Sequence, residues 1–541
     1  MSDKLFLIAI GGTGMRCLES FVHLCAAGLF DNHEINVLTL DTDQTNGNKA
    51  RVENLIDLYN SVKTEAEPGG LARTNTFFSA KINLYKFYTD YSQPRNSTLA
   101  ALAQTNNFDA RDDNQDLSDL LFERDSVQQF KLDHGYRAQT HLGSMLMYHG
   151  IIDAARNAKR GGENIKFQEK QLTEFLKLLN QNAATARVFV FGSIFGGTGA
   201  SSIPVIPRAL SEALKIQTEG AVLDQVLFAS TLLTDYFSFP SPKDETLRRE
   251  KVIASSNNFA LNSQAALSFY NNDDTVKGTY KRMYHIGWPN SLKIDYSDGG
   301  EQVKTGGAEQ KNPCHIVEMM CAAAAYDFFN EKREVLTAIK EAEYVYRTVA
   351  TDDAGVLSLS GKSFVEDGDL FENKIGAFLS FAHLVLSRHG GAKEGTVGTT
   401  KLIEALASEK ITDYNAIPNV QREQIDQYLK EFAYKFVDGN VSFGWIYQVQ
   451  SSIRNGKFIF APEAFRQTVS DLSKIDAGAI FADEKHHWDK SGLFGDVANR
   501  RFDTLISNMR NKNLPEEKQG TSLRERFLAH MYNAITISQH F

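Results

Sequence analysis

The sequence predicts an α/β protein built on a parallel sheet, with a helix-rich region behind it. Three observations carry this. Apolar runs lead into glycine turns and then into helical repeats, the unit from which parallel sheets are made. Two of those turns, Gly11–Gly14 (GGTG) and Phe195–Ser201 (FGGTGAS), are nearly the same. Beyond about residue 340 the chain stays globular in composition but its apolar residues recur mainly at helical spacing.

Taken in order, Lys4–Ile10 (KLFLIAI) reads as a buried strand. After Gly11–Gly14, Met15, Leu18, Val22, Cys25 and Leu29 recur as one face of a helix. Ile35–Leu40 (INVLTL) is a second strand ending in Asp41–Thr42–Asp43. From about residue 44 to 133 the pattern weakens, and Pro68–Gly69–Gly70 and the polar stretch Thr105–Asp119 read as loops of a long insertion. Asp112, Asn114, Asp116 and Glu123 fall at calcium-loop spacing, but Leu117 stands where that loop needs glycine. A solvated acidic loop explains them equally well.

Order resumes at Gly135–Gly143 (GYRAQTHLG), followed by a helix. Arg187–Ile194 (RVFVFGSI) has no polar face before Ser193, which predicts a central strand, and it runs into FGGTGAS and a helix from about Ile203. Val226–Leu233 is another strand. Leu247–Tyr270 reads as helix, Lys281–Trp288 as a strand ending at Pro289–Asn290, and Pro313 opens an alanine-rich helix. Ile425, Leu429, Phe432 and Phe436 form one later apolar stripe, and Phe465, Val469 and Leu472 another.

Composition excludes several classes. A chain of 541 residues exceeds one simple core, and 42% hydrophobic with 23% charged residues is ordinary for a globular protein. A net charge of −9 speaks against nucleic acid as a partner. Cys17, Cys25, Cys314 and Cys321 form no C-x-x-C pair, so they read as free buried thiols in a reducing compartment. No apolar run approaches the roughly 20 residues of a membrane span, and Leu5–Ile10 lacks a cleavage site, so a cytoplasmic protein is expected. No spacing of histidines argues for a metal, and no G-x-S-x-G elbow is present.

The glycine loops carry the functional signal. Phosphate binding needs backbone N–H groups close to the anion, which glycine permits and a helix N-terminus favours. Gly11, Gly12, Thr13 and Gly14 offer this once, and Gly196, Gly197, Thr198, Gly199, Ala200 and Ser201 offer it again. Thr198 either bonds a phosphate or caps its helix. Asp41 and Asp43 either contact a ribose or a magnesium-bound water, or only shape a turn. A P-loop is excluded because neither loop continues into Lys-Ser or Lys-Thr. In a dinucleotide-binding Rossmann domain Cys17 would replace the third glycine, and the second loop would have no role.

FGGTGAS, with Pro204 behind it, resembles the glycine signature of the tubulin/FtsZ superfamily, GGGTGSG in tubulin and GGGTGTGAAP in FtsZ. The similarity is greatest to the divergent bacterial tubulin-like proteins and spans roughly Lys4–Phe329. Asp41–Thr42–Asp43–Gln44 is similar to the N-T-D-A-Q of FtsZ, and the loop from Gly135 to its γ-phosphate loop. Asn290 matches the asparagine of I-P-N-D, and Glu318 falls where FtsZ has the aspartate that reads guanine. Phe195 and Ser201 depart from the first and last glycines of the signature.

The resemblance implies a GTPase domain over residues 1–310 (with its insertion at about 44–133), a central helix over 311–340 and an enlarged helix-rich C-terminal domain over 341–541. It implies GTP or GDP with Mg2+, and head-to-tail self-assembly into cytoskeletal filaments. Hydrolysis in that family is completed by a neighbouring subunit's N-x-D-x-x-D or N-x-D-x-x-E loop. The best match is Asp367–Glu372 (DGDLFE), which makes Asp369 and Glu372 the candidate catalytic residues. A second reading is a guanine-nucleotide-sensing protein that neither hydrolyses nor polymerises and binds other proteins through the insertion or the C-terminal domain. A third is a dinucleotide oxidoreductase.

Overall fold

The computed structural model describes residues 3–30, 33–63, 75–89, 99–102, 111–122, 124, 140–161, 165–218, 223–239, 255–295, 307–308, 310, 312–349, 357–386, 417–437, 440–453, 456–457 and 522–538. Its frame is a seven-stranded sheet. The strands are β1 (Lys4–Ile10), β2 (Glu34–Asp41), β3 (Lys81–Tyr88), β4 (Ala186–Phe191), β5 (Leu227–Leu233), β6 (Tyr280–Ile286) and β7 (Glu343–Arg347). They lie in the order β3-β2-β1-β4-β5-β6-β7, and every pairing is parallel.

The apolar strands are central because both their faces are covered. On β1, Leu5, Leu7 and Ala9 face one helical layer while Phe6, Ile8 and Ile10 face the other. The first layer holds α1 (Gly11–Ala26), α2 (Gly47–Val62) and the alanine-rich helix α7 (Ile316–Asn330). The second holds α3 (Thr140–Arg160), α4 (Phe167–Gln181), α5 (Ile206–Gln217) and α6 (Phe259–Asn272). Outside α1 and α2 lies further helix from the C-terminal region: α8 (Gly368–Leu386), α9 (Asn419–Phe432), α10 (Trp445–Ser451) and α11 (Leu523–Ser538).

Two expectations need correction. Residues 47–88, read as insertion, supply α2 and the edge strand β3, whose residues pair in register with β2 from Glu34↔Lys81 to Asp41↔Tyr88. An edge strand faces solvent and keeps polar residues such as Lys81 and Lys86, so its apolar signal is weak. Arg111–Leu121 is a helix, where the polar stretch Thr105–Asp119 reads as a loop. The stripe at Phe465–Leu472 and the segment 247–254 lie outside the described residues.

The connection from β6 to β7 runs through α7 on the α1 face, whereas those from β4 to β5 and β5 to β6 use the other face. All these strands are parallel and step in one direction. The last crossing therefore has the opposite hand, a rare arrangement. It brings α7 against α1.

Among the described residues no helix is long and apolar enough to cross a membrane.

Candidate functional site

β1, β2 and β3 step to one side of the sheet, and β4, β5, β6 and β7 to the other. The order reverses between β1 and β4, which pair from Lys4↔Ala186 to Ala9↔Phe191. Ligands of open α/β sheets bind in the crevice beyond the strand ends at such a switch point. The first glycine loop leaves β1 and the second leaves β4, so they stand on the two sides of it.

The loops touch. Gly11 has a φ of 65°, which favours glycine, and a methyl group built on it would lie 3.0 Å from Thr198 Cβ. Gly12, Thr13, Gly196, Gly197 and Thr198 are partly exposed, forming an accessible rim. Gly14 and Gly199 do something else. A methyl group on Gly14 would lie 2.6 Å from the Phe191 carbonyl oxygen, and one on Gly199 2.6 Å from that of Ser193. These two glycines let each helix pack on the end of β4 and are buried rather than open to a ligand.

No side chain caps α1, and its first turn carries no acidic residue. The amides of that turn are the donors a helix N-terminus offers to an anion. Ala200 and Ser201 are buried, and the Ser201 hydroxyl donates to the Thr198 carbonyl at 3.0 Å, so neither reaches the rim. Phe195, where the resembled signature has glycine, is an anchor. Its ring packs 4.8 Å from that of Phe259 and also meets Tyr236 and Phe237.

Beside the loops, the β2 end is a tight polar turn. The Asp41 carboxylate accepts from the N–H groups of Thr42 (2.8 Å) and Asp43 (3.2 Å) and from Asn46 Nδ2 (2.9 Å). Burial nevertheless pushes its pKa up to about 6. Asp43 accepts from Thr45 N–H (3.0 Å) and hydroxyl (2.9 Å) and from Gly307 N–H (2.7 Å). Both aspartates therefore shape the turn. The buried hydroxyls of Thr42 and Thr89 and the carboxamide of Asn48 have no hydrogen-bond partner. Thr42 and Thr89 follow the paired ends of β2 and β3, and Thr89 N–H bonds the Asp41 carbonyl at 3.2 Å. Buried polar groups are rarely left so, and these suit a polar ligand that the chain does not itself supply. Among the described residues no group of His, Cys, Asp and Glu could hold a metal ion.

Glu318 is placed differently from the expectation that it reads a base. It is fully buried, and Oε1 accepts from Arg16 Nε (2.6 Å) and the Tyr236 hydroxyl (2.6 Å) while Oε2 accepts from His315 N–H (2.9 Å). It closes a capping box on α7 and pairs with Arg16, so its carboxylate is used within the chain. Arg16 also donates to the carbonyls of Asn312 (2.6 Å) and Pro313. Nothing local in the sequence signals this partnership.

Asp369 and Glu372 are not brought to the glycine loops by any described contact. Asp369 is exposed in the first turn of α8, whereas Glu372 is buried and accepts Gly361 N–H at 2.6 Å. The turn that Glu372 holds at Gly361 is also held by Arg347, which donates to the Phe364 carbonyl and to Asp327 of α7. Between Glu318 and Asp327 the helix advances about 13 Å. Asn290 starts an exposed 3-10 turn. Gly135 lies outside the described residues. Sequence reasoning missed Asn46, Gly47 and Gln310, which gather at the first loop. A methyl group on Gly12 would lie 3.1 Å from Gln310 Oε1 and 3.4 Å from Asn46 Nδ2.

The chain matches no protein-family model and no curated protein. The functional reading therefore rests on this geometry and on the glycine motifs.

Proposed function

We propose that the chain is a tubulin/FtsZ-like protein that binds GTP or GDP, with Mg2+, in the crevice between its two glycine loops. The observation that carries this is the contact between Gly11 and Thr198 across the switch point. It supports one anion site lined by backbone amides from both loops, rather than two unrelated turns. The strand order alone is shared with dinucleotide-binding sheets. The second glycine loop is what favours a nucleotide triphosphate over NAD or flavin.

On this reading, Gly12, Thr13, Gly196, Gly197 and Thr198 hold the phosphates. The turn from Asp41 to Asn46, with Thr42 and Thr89, faces the ligand's polar groups. Hydrolysis would be completed by Asp369 of a neighbouring subunit in a head-to-tail filament, a heterologous contact that extends without closing.

The reading as a non-hydrolysing nucleotide sensor has one observation in its favour: Glu372 is buried on Gly361, which leaves Asp369 as the exposed carboxylate of the matched pair. The test is to denature the purified chain and identify what is released. Guanine nucleotide supports the proposal, and NAD or flavin overturns it. Pelleting with GTP and a slowly hydrolysed analogue then separates the filament from the sensor.

A further inference from the structure

Phe195 is the first residue of the second glycine loop, and its ring is held among three others. It lies 4.8 Å from Phe259, and meets Phe237 at 5.7 Å and Tyr236 at 6.1 Å edge-on. Its backbone carbonyl accepts from Asn262 Nδ2 at 3.3 Å. Of these rings Tyr236 alone carries a polar group, and its hydroxyl donates to Glu318 Oε1 at 2.6 Å. The same oxygen accepts from Arg16 Nε at 2.6 Å, and Arg16 lies on α1, the helix that the first glycine loop opens. A line of side chains thus runs Phe195–Tyr236–Glu318–Arg16, from one loop to the helix of the other, and every member of it is buried. Tyr236 is itself well fixed. Its carbonyl accepts from Ile294 N–H at 3.2 Å, and its ring lies 4.7 Å from that of His315. Burial, and then the Glu318 charge, hold its phenol well above the ordinary pKa, so the hydroxyl stays a donor.

Apolar packing keeps the Phe195 ring buried without fixing how far its loop stands from α1. A hydrogen bond to a carboxylate is short and directional, so it sets where the Tyr236 ring stands, and the edge contact of that ring sets where Phe195 stands. Two loops that share one anion need their donors placed to within about 0.5 Å. The contact between Gly11 and Thr198 fixes one side of that spacing, and the line through Tyr236 fixes the other. We infer that Tyr236 is a positioning residue of the anion site: its hydroxyl, held by the Arg16–Glu318 pair, sets the second glycine loop at the distance from α1 at which both loops reach one phosphate chain. The inference rests on the anion-site reading of the glycine loops and adds the group that aligns them.

The test compares the parent chain with Tyr236→Phe, Phe195→Leu and the double variant, using GTP with Mg2+ and inorganic tripolyphosphate as probes in calorimetric titrations. Tyr236→Phe deletes the hydroxyl and keeps the ring. Phe195→Leu deletes the ring edge and keeps an apolar side chain. Thermal unfolding first shows that each chain is folded at the titration temperature. Each single variant is expected to bind both probes about tenfold more weakly, the loss when the loop is aligned about a tenth of the time. The double variant should lose no more than either single one, because both changes break the same line. Fluorine at the para position of the Phe195 ring adds a signature that a merely structural role would not produce. It should give one narrow resonance in the parent, a broadened one in Tyr236→Phe, and a narrow one again once tripolyphosphate is bound. If Phe195→Leu does not fold, the affinity of Tyr236→Phe and the fluorine resonance decide. Unchanged affinity in Tyr236→Phe overturns the inference and leaves the anion site standing. Losses that multiply in the double variant, or a resonance that stays narrow in Tyr236→Phe, overturn it as well. If neither probe binds the parent or any variant, the anion site fails and the inference with it.

Discussion

Arg16 and Glu318 form a buried ion pair across 302 positions of sequence, joining the helix that begins at the first glycine loop to the alanine-rich helix α7. The Tyr236 hydroxyl and the His315 N–H fill out the acceptor sites of the carboxylate. A buried pair of this kind fixes how two helices meet more than it stabilises them, because desolvation offsets much of the attraction.

Removing one partner is costly for the same reason. Glu318→Ala leaves Arg16 without its carboxylate in a dry interface and is expected to lower the unfolding free energy by about 3–5 kcal/mol. Urea unfolding checks it. Arg16→Met combined with Glu318→Met should cost less than the sum of the single changes. If Glu318→Ala instead keeps full stability and loses discrimination between GTP and ATP, the carboxylate reads a base after all.

The glycines divide by what they touch. Gly14→Ala and Gly199→Ala each press a methyl group against a strand-end carbonyl at 2.6 Å, so both should lose stability, by about 1–3 kcal/mol. Gly196→Ala meets only the Ser193 hydroxyl, at 3.3 Å, and should keep stability. Gly197→Val should fold and lose nucleotide binding, since its side chain stands where the backbone must approach phosphate. Thermal unfolding beside nucleotide titration separates the groups. A Gly197→Val chain that binds GTP like the parent would defeat the two-loop site.

Asp41 gives a pH signature. Its folded pKa, about 6, lies above the ordinary 3.8 because burial disfavours the charge. Between those values the folded state holds the extra proton, so stability falls as pH rises through the window, by at most about 3 kcal/mol. Asp41→Asn should be flat across pH 4–6 relative to the parent and more stable than it above pH 7. The same difference at pH 4 and pH 8 would show that Asp41 is not the titrating group.

The shared site is the boldest expectation. Asp369→Ala should keep GTP binding, lose hydrolysis and leave any filaments longer-lived. Specific activity of the parent should rise with protein concentration, because a site split between subunits exists only in the assembly. Mixing Asp369→Ala, which has an intact pocket, with Gly197→Val, which has an intact Asp369, should restore part of the hydrolysis. Activity that is flat with concentration, with a mixture that stays inactive, favours the sensor.

The sequence by itself determined the strands that lie in the middle of the sheet and the two turns that leave them. Whereas β6 is a strand despite the half-buried Lys281, Arg282 and His285, β1, β2, β4 and β5 are legible because a strand covered on both faces is apolar along most of its length, and a close turn into a helix favours glycine. These are local demands, and local residues answer them. β3 and β7 were not legible, because edge strands keep polar and exposed residues such as Lys81, Lys86 and Tyr346. On α1 the apolar stripe from Met15 to Leu29 was equally plain. Only the tertiary structure decided that its other face is also buried. There Arg16 meets Glu318, Glu19 meets Arg51 at 2.6 Å, Ser20 accepts from Trp445 at 3.0 Å, and His23 lies 3.1 Å from the Tyr428 hydroxyl. Polar residues at helical spacing look like a solvated face until their partners are known. Here every partner outside α2 is more than 300 positions away, and no local pattern can announce a charge that a distant segment neutralises.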